Sequence, residues 1–154
     1  MQVCQNGHVI THRADSEPNM KQAFCAQCGS KTIDACPGCT QPIPGHHHME
    51  DMVFFDGDEP PKYCVHCGAA YPWQAAAVEN LVDLIREGEL SEHDAQELEN
   101  ALPDIMQDTP RTQSAALKLN RLLPKLGATV YGVAIKVVSD VASETAKKAL
   151  GLSV

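Results

Sequence analysis

Seven cysteines and one histidine placed before residue 68 constrain the fold of this chain more than any other feature. Cys25 and Cys28, Cys36 and Cys39, and Cys64 and Cys67 make three Cys-x-x-Cys pairs, and Cys4 finds its partner in His8 across Gln5-Asn6-Gly7. Two tetrahedral metal sites take eight protein ligands, and seven thiolates plus one imidazole supply eight with none left over. The two-residue spacing turns the chain back sharply enough for both sulfurs to reach one ion. Glycine suits the left-handed backbone that such a turn often needs, and Gly29, Gly68, Gly38 and the Asn6-Gly7 pair stand after or inside the turns. These are zinc knuckles.

Disulfides would be the competing use of the cysteines. An odd number cannot all pair within one chain, and residues 1 to 20 hold no apolar run of signal-peptide length, so a reducing, cytoplasmic setting is expected. The segment 1–73 has few large apolar residues and needs metal to fold. Four ligand pairs can combine sequentially or in the interleaved manner of a RING. Sixteen residues separate His8 from Cys25, seven separate Cys28 from Cys36, and twenty-four separate Cys39 from Cys64. The seven-residue gap is long for a RING and contains the strand-like Lys31-Thr32-Ile33. Spacing therefore favours site one as Cys4, His8, Cys25 and Cys28, and site two as Cys36, Cys39, Cys64 and Cys67, with two Zn²⁺ per chain. Four protein ligands close each shell against water, so the metals are expected to be structural. Iron is chemically allowed by the four thiolates of site two, but the aromatic core of a rubredoxin-like site is not evident.

Other histidines read as bystanders. His12 is an alternative to His8, at a poorer spacing from Cys4. His46-His47-His48 lies in a Pro/Gly-flanked loop between Pro42 and Pro61, where polar residues are expected. His66 falls between two ligands and His93 on an acidic helix. No Gly-rich phosphate loop, nucleophile elbow or His-Glu-x-x-His pair occurs, so no enzyme is expected and no catalytic residue is assigned.

Composition changes at Trp73, after which no cysteine occurs. Residues 74–154 read as helices. Ala77, Val78, Leu81, Leu84 and Ile85 recur at helical spacing up to Gly88; Ser91 suits an N-cap for a helix carrying Ala95, Leu98 and Leu102, with Pro103 closing or restarting it. Thr109-Pro110 predicts a cap and first-turn proline, followed by Ala115, Ala116, Leu119, Leu122 and Leu123 up to Pro124. From Ala128 to Leu150 one broad helical face is expected, with Val130, Val133, Val137 and Val141 available for self-association or docking.

Charge divides this half into an acidic hairpin, 74–109, with ten acids and one base, and basic amphipathic helices, 110–151, within a C-terminal stretch of seven bases and two acids. Docking of the basic part on the acidic part, within or between chains, is the simplest use. Residues 1–73 carry four bases against eight acids, and seven thiolates on two Zn²⁺ add three more negative charges. A phosphate backbone would be repelled there. The leading expectation is a zinc-binding protein-interaction or adaptor module; the rival is nucleic-acid or membrane-surface binding through the basic C-terminal helices.

The motifs Gln2-Val3-Cys4-x-Asn6-Gly7-His8, Phe24-Cys25-x-x-Cys28-Gly29, Cys36-Pro37-x-Cys39 and Tyr63-Cys64-x-x-Cys67-Gly68, with Tyr71-Pro72-Trp73, resemble a family of uncharacterised bacterial proteins of unknown function. The resemblance continues through Asp108-Thr109-Pro110-Arg111-Thr112 and Ser143 to Lys148. It implies a double zinc ribbon with a helical tail and brings no reaction with it. The fold class expected is α+β, a zinc-stabilised double ribbon at 1–73 followed by a helical region at 74–154.

Overall fold

Where the knuckles turn, short strands form. β1 (Gln2–Cys4) pairs antiparallel with β2 (Val9–Thr11) and with β3 (Thr32–Ile33), giving a three-stranded sheet in the order β2-β1-β3. A bulge between Gln2 and Val3 shifts the β1–β2 register from Gln2↔Thr11 to Val3↔Val9. The computed structural model describes residues 1–45 and 59–152, so His46-His47-His48 lies outside the described residues. Two units divide at Ala76 and Ala77, within α1 (Pro72–Glu87) and a little past the composition change at Trp73. The molecule is α+β.

Among its described residues the first unit has one small core: Met1, Val3, Cys36, Ile43, Cys64, Tyr71 and Trp73, with Ile33 and Cys39 against it. Tyr71 and Trp73 stack with ring centroids 4.7 Å apart at 11°, and the indole Nε1 donates to Pro61 O at 3.0 Å. This core contains metal-ligand candidates among its own members, so its packing and the metal geometry are one structure.

In the second unit, α1 is followed by α2 (Glu92–Met106), α3 (Thr112–Leu122), a 3₁₀ turn at Leu123–Leu126, α4 (Ala128–Val141) and α5 (Glu144–Leu150). Leu81, Ile85, Leu98, Leu102, Ile105, Leu119, Leu122, Leu126 and Val138 fill the centre. Ser91 caps α2, its hydroxyl accepting from Asp94 N at 3.2 Å. The acidic and basic segments meet: Arg121 bonds both oxygens of Glu97 at 2.7 Å, and Lys125 meets Asp94 at 2.8 Å. No helix among the described residues is long and apolar enough to cross a membrane.

Three sequence expectations need correction. Pro103 neither closes nor restarts a helix; it lies inside α2, exposed, while Leu98, Ala101, Leu102 and Ile105 stay buried on the opposite face. Thr109-Pro110 does not start α3. That helix begins at Thr112, and Thr109 accepts from Arg111 N at 3.2 Å in the turn before it. The stripe from Ala128 to Leu150 is two helices, broken at Ala142 and Ser143, because Ser143 N bonds to Ile105 O at 2.9 Å while its hydroxyl caps α5. Val141 is consequently a core residue, 2% exposed, and Val130 and Val137 pack partly against the same core. Val133, 48% exposed, keeps an outward position on α4.

Candidate metal centres

Each Cys-x-x-Cys pair sits in a turn closed by the same backbone bonds. In the three Cys-x-x-Cys knuckles the first cysteine's N–H donates to the carbonyl five residues on, at 2.8–2.9 Å: Cys25 to Ser30, Cys36 to Gln41 and Cys64 to Ala69. The carbonyl of the first cysteine accepts at 2.8 Å from the residue just after the second: Gly29, Thr40 or Gly68. That last residue is left-handed in all three, with φ of 70°, 62° and 72°. In the second knuckle the left-handed position is therefore Thr40, and Gly38 is not it. Flanking residues are bridged as hairpin stems at Phe24↔Lys31, Ala35↔Pro42 and Tyr63↔Ala70.

Around Cys4 the turn is different. Cys4 N donates to His8 O at 2.9 Å, and Gly7, at φ 89°, donates to Cys4 O at 3.0 Å. A β-carbon on Gly7 would lie 3.1 Å from Trp73 Cβ, so this position is fixed both by backbone conformation and by close approach.

The turns bring Cys4, His8, Cys25 and Cys28 together, and Cys36, Cys39, Cys64 and Cys67 together, with all donor atoms of a group within 4.8 Å of one another. Pairing is sequential; the interleaved arrangement of a RING is not what the chain adopts. Cys4 Sγ is 3.5 Å from His8 Nδ1 and 3.7 Å from Cys28 Sγ, and Cys25 Sγ is 3.6 Å from His8 Nδ1. Cys36 and Cys67, and Cys39 and Cys64, each have their sulfurs 3.7 Å apart. Tetrahedral zinc with Zn–S near 2.3 Å and Zn–N near 2.0 Å sets S···S edges at about 3.8 Å and S···N edges at about 3.6 Å. A disulfide would draw two sulfurs to about 2.05 Å. Donor type, donor number and edge length thus all fit a tetrahedral ion of zinc's size.

Groups around Cys28 and Cys64 favour thiolate, whereas the neighbouring sulfurs help to push Cys39 up to about 12. His8 N donates to Cys4 Sγ at 3.3 Å and Gln27 N to Cys25 Sγ at 3.4 Å. Hydrogen bonds from the Ser30 side chain and backbone hold the Cys28 thiol down to about 6, and the His66 backbone N–H does the same for Cys64, also to about 6. Cys4 is pushed up by burial. In every pair containing two cysteines the first is buried, whereas Cys28 and Cys67 are exposed and Cys39 intermediate.

Sequence reasoning missed three supporting residues. Asn6 donates to Ser30 Oγ at 2.9 Å and to Cys28 Sγ at 3.5 Å, joining the two knuckles of site one. Ser30 acts on Cys28, and Tyr71 packs beside the ligands of site two. None has a spacing signature; Asn6, within the Cys4–His8 turn, and Tyr71, in the Tyr71-Pro72-Trp73 motif, lay in segments already singled out, but neither was given a supporting role. His12 belongs to neither cluster, and His66 contributes its backbone. His93, Asp94 and Glu97 also gather within 4.8 Å, but both carboxylates are engaged by Lys125 and Arg121.

Over residues 1–150 the sequence matches the family described as uncharacterized protein conserved in bacteria, DUF2321. The chain belongs to that family. The family match spans both the eight-donor ribbon region and the helical unit. No curated protein and no solved structure matches the chain.

Proposed function

We propose that this family member is a zinc-binding protein-interaction module of the bacterial cytoplasm, in which two Zn²⁺ ions are structural and no reaction is catalysed. One observation carries the reading: two four-donor clusters with tetrahedral edge lengths, each complete without water. A closed shell gives an ion no position at which to activate water or polarise a substrate.

The interaction role is supported by what surrounds the ligands. Phe24, at 58% exposure, precedes Cys25, and Val65, at 71%, occupies the turn between Cys64 and Cys67. Apolar side chains displayed on rigid metal turns suit a protein partner better than the acidic surface of this unit suits nucleic acid. Engagement of Arg121 and Lys125 by acids of α2 likewise weakens the case for nucleic acid or a membrane surface at the C-terminal helices. Self-association through α4 would use the outward Tyr131 and Val133.

Elemental analysis of chain purified without a histidine tag tests the metal reading, with two zinc ions per chain expected. One ion would remove Cys4 and His8 from the ligand set, and three would bring in His46-His47-His48. Phe24→Asp with Val65→Asp tests the interaction reading: loss of partner binding at unchanged zinc content is expected, and unchanged binding would exclude these turns as the contact surface.

A further inference from the structure

We propose that the Cys36–Cys67 edge of site two is an oxidation site, where hydrogen peroxide converts the two thiolates into a disulfide and frees the ion of that site, while site one keeps its own. The inference rests on the zinc-binding reading above and adds to it a chemical response of one ligand pair. Oxidation of a thiolate goes where its sulfur meets solvent and a second sulfur stands close enough to resolve it. Among the ligands of site two, Cys36 and Cys64 are buried, Cys39 is intermediate and Cys67 is exposed. Its neighbours in the turn, Val65, His66, Gly68 and Ala69, are exposed as well. Cys36 Sγ and Cys67 Sγ lie 3.7 Å apart, so small side-chain movements bring them toward the disulfide length of about 2.05 Å. The edge between them is bare on one side. A β-carbon on Gly38 would sit 3.8 Å from each of the two sulfurs, and Gly38 does not have the left-handed backbone of Gly29 and Gly68. What glycine provides there is open space beside the sulfurs.

Site one has the same plan but is covered at the corresponding place. Cys28 is exposed and lies 3.7 Å from the buried Cys4. Asn6 Nδ2 donates to Cys28 Sγ at 3.5 Å and is held there by Ser30 Oγ at 2.9 Å. A hydrogen bond draws charge from sulfur and slows its attack on an electrophile. Ala69 occupies in site two the position of Ser30, since the carbonyl of each accepts from the first cysteine of its knuckle. Alanine has no hydroxyl to hold such a donor. Among the described residues, no side-chain nitrogen or oxygen donates to Cys67, whose sulfur faces that of Cys36.

The Cys67 thiolate attacks one oxygen of hydrogen peroxide: an S–O bond forms, the O–O bond breaks and hydroxide leaves, giving the sulfenic acid. The Cys36 thiolate then attacks that sulfur: the S–S bond forms, the S–O bond breaks and a second hydroxide leaves. Each sulfur gives one electron and the peroxide takes both. Cys39 and Cys64 alone are too few to close a tetrahedral shell.

The test uses zinc-loaded full chain, equimolar hydrogen peroxide and a chromophoric zinc indicator. Release of one ion per chain is expected. Alkylation followed by non-reducing peptide mapping should show Cys36 joined to Cys67 with loss of two hydrogens, Cys39 and Cys64 as free thiols, and Cys4, Cys25 and Cys28 unoxidised. Dithiothreitol and zinc should restore the starting state. Gly38→Ala, whose added carbon makes ordinary contacts only, should slow zinc release, and Asn6→Ala should draw Cys28 and Cys4 into the reaction. Earlier loss of the ion of site one, a different disulfide, or no reaction at peroxide levels that oxidise a free cysteine peptide would overturn the proposal while leaving the zinc reading intact. Absence of zinc from site two before peroxide is added would overturn both.

Discussion

Thr40 stands where Gly29 and Gly68 stand in the neighbouring knuckles, at a φ of 62° that β-branched residues seldom adopt. Left-handed backbone costs a residue with a β-carbon roughly 1–2 kcal/mol, and glycine returns part of that through its looser unfolded state, so Thr40→Gly should stabilise the metal-loaded chain by about 0.5–1 kcal/mol. Gly68→Ala should cost about 1 kcal/mol from backbone conformation alone, because no atom lies within 4 Å of the added carbon. Denaturant titration of the metal-loaded protein checks both, and equal midpoints for all three chains would refute the argument. The grouping of the eight donors was legible because metal chemistry imposes a local spacing on the chain. The conformation of Thr40 was not, because threonine's preference opposes it and the knuckle imposes it. The place of Tyr71 beside the ligands was hidden for a different reason: its contact with the ligand cluster is made by the fold and leaves no mark in spacing.

Helices show how far periodicity carries and where it stops. Leu98, Leu102 and Ile105 keep one buried face through Pro103, so burial offsets a missing backbone bond that would otherwise cost about 3 kcal/mol. Ser143 interrupts an apolar stripe without altering its period; its bond to Ile105 O is a tertiary event, and no local pattern announces it. Ser143→Ala should lower stability by about 1 kcal/mol, as loss of an N-cap does, through the bond from Ala146 N. Asp108 adds a pH signature at the same helix start. The Thr145 side chain first, and then that of Ser143, hydrogen-bond its carboxylate and hold it below the usual range. A depressed carboxylate contributes stability above its unfolded value, near 3.9, and loses it as pH falls through the lower folded value. Asp108→Asn should therefore reduce thermal stability at neutral pH, with the difference closing as pH drops below about 4. A gap independent of pH would contradict this. Within the α2–α3 packing, Leu119→Ala should cost 2–5 kcal/mol, as Leu119 is fully buried.

Among the described residues two cores form, and only one contains candidate metal ligands. Cys36 and Cys64 are core residues of the first unit, whereas the core of the second is aliphatic throughout. Metal removal by a strong chelator should therefore erase the amide protection of the sheet and knuckles and leave most helical circular dichroism at 222 nm intact. Simultaneous loss of both signals would show that the helical unit depends on the ribbon. The α+β class and the ribbon-then-helix order were legible because cysteine content and apolar period change together near Trp73. Charge asymmetry pointed to docking of basic on acidic segments, and the pairs of Arg121 with Glu97 and Lys125 with Asp94 give that docking its residues.

Trp73 is the chain's single tryptophan, 8% exposed, stacked on Tyr71 and pressed by the backbone of Gly7. Gly7 belongs to the turn of site one, and Tyr71 to the core around site two. One fluorophore thus touches the neighbourhoods of both candidate metal centres. Its emission can report ribbon assembly in real time, without a label and without a second indole to confuse the signal.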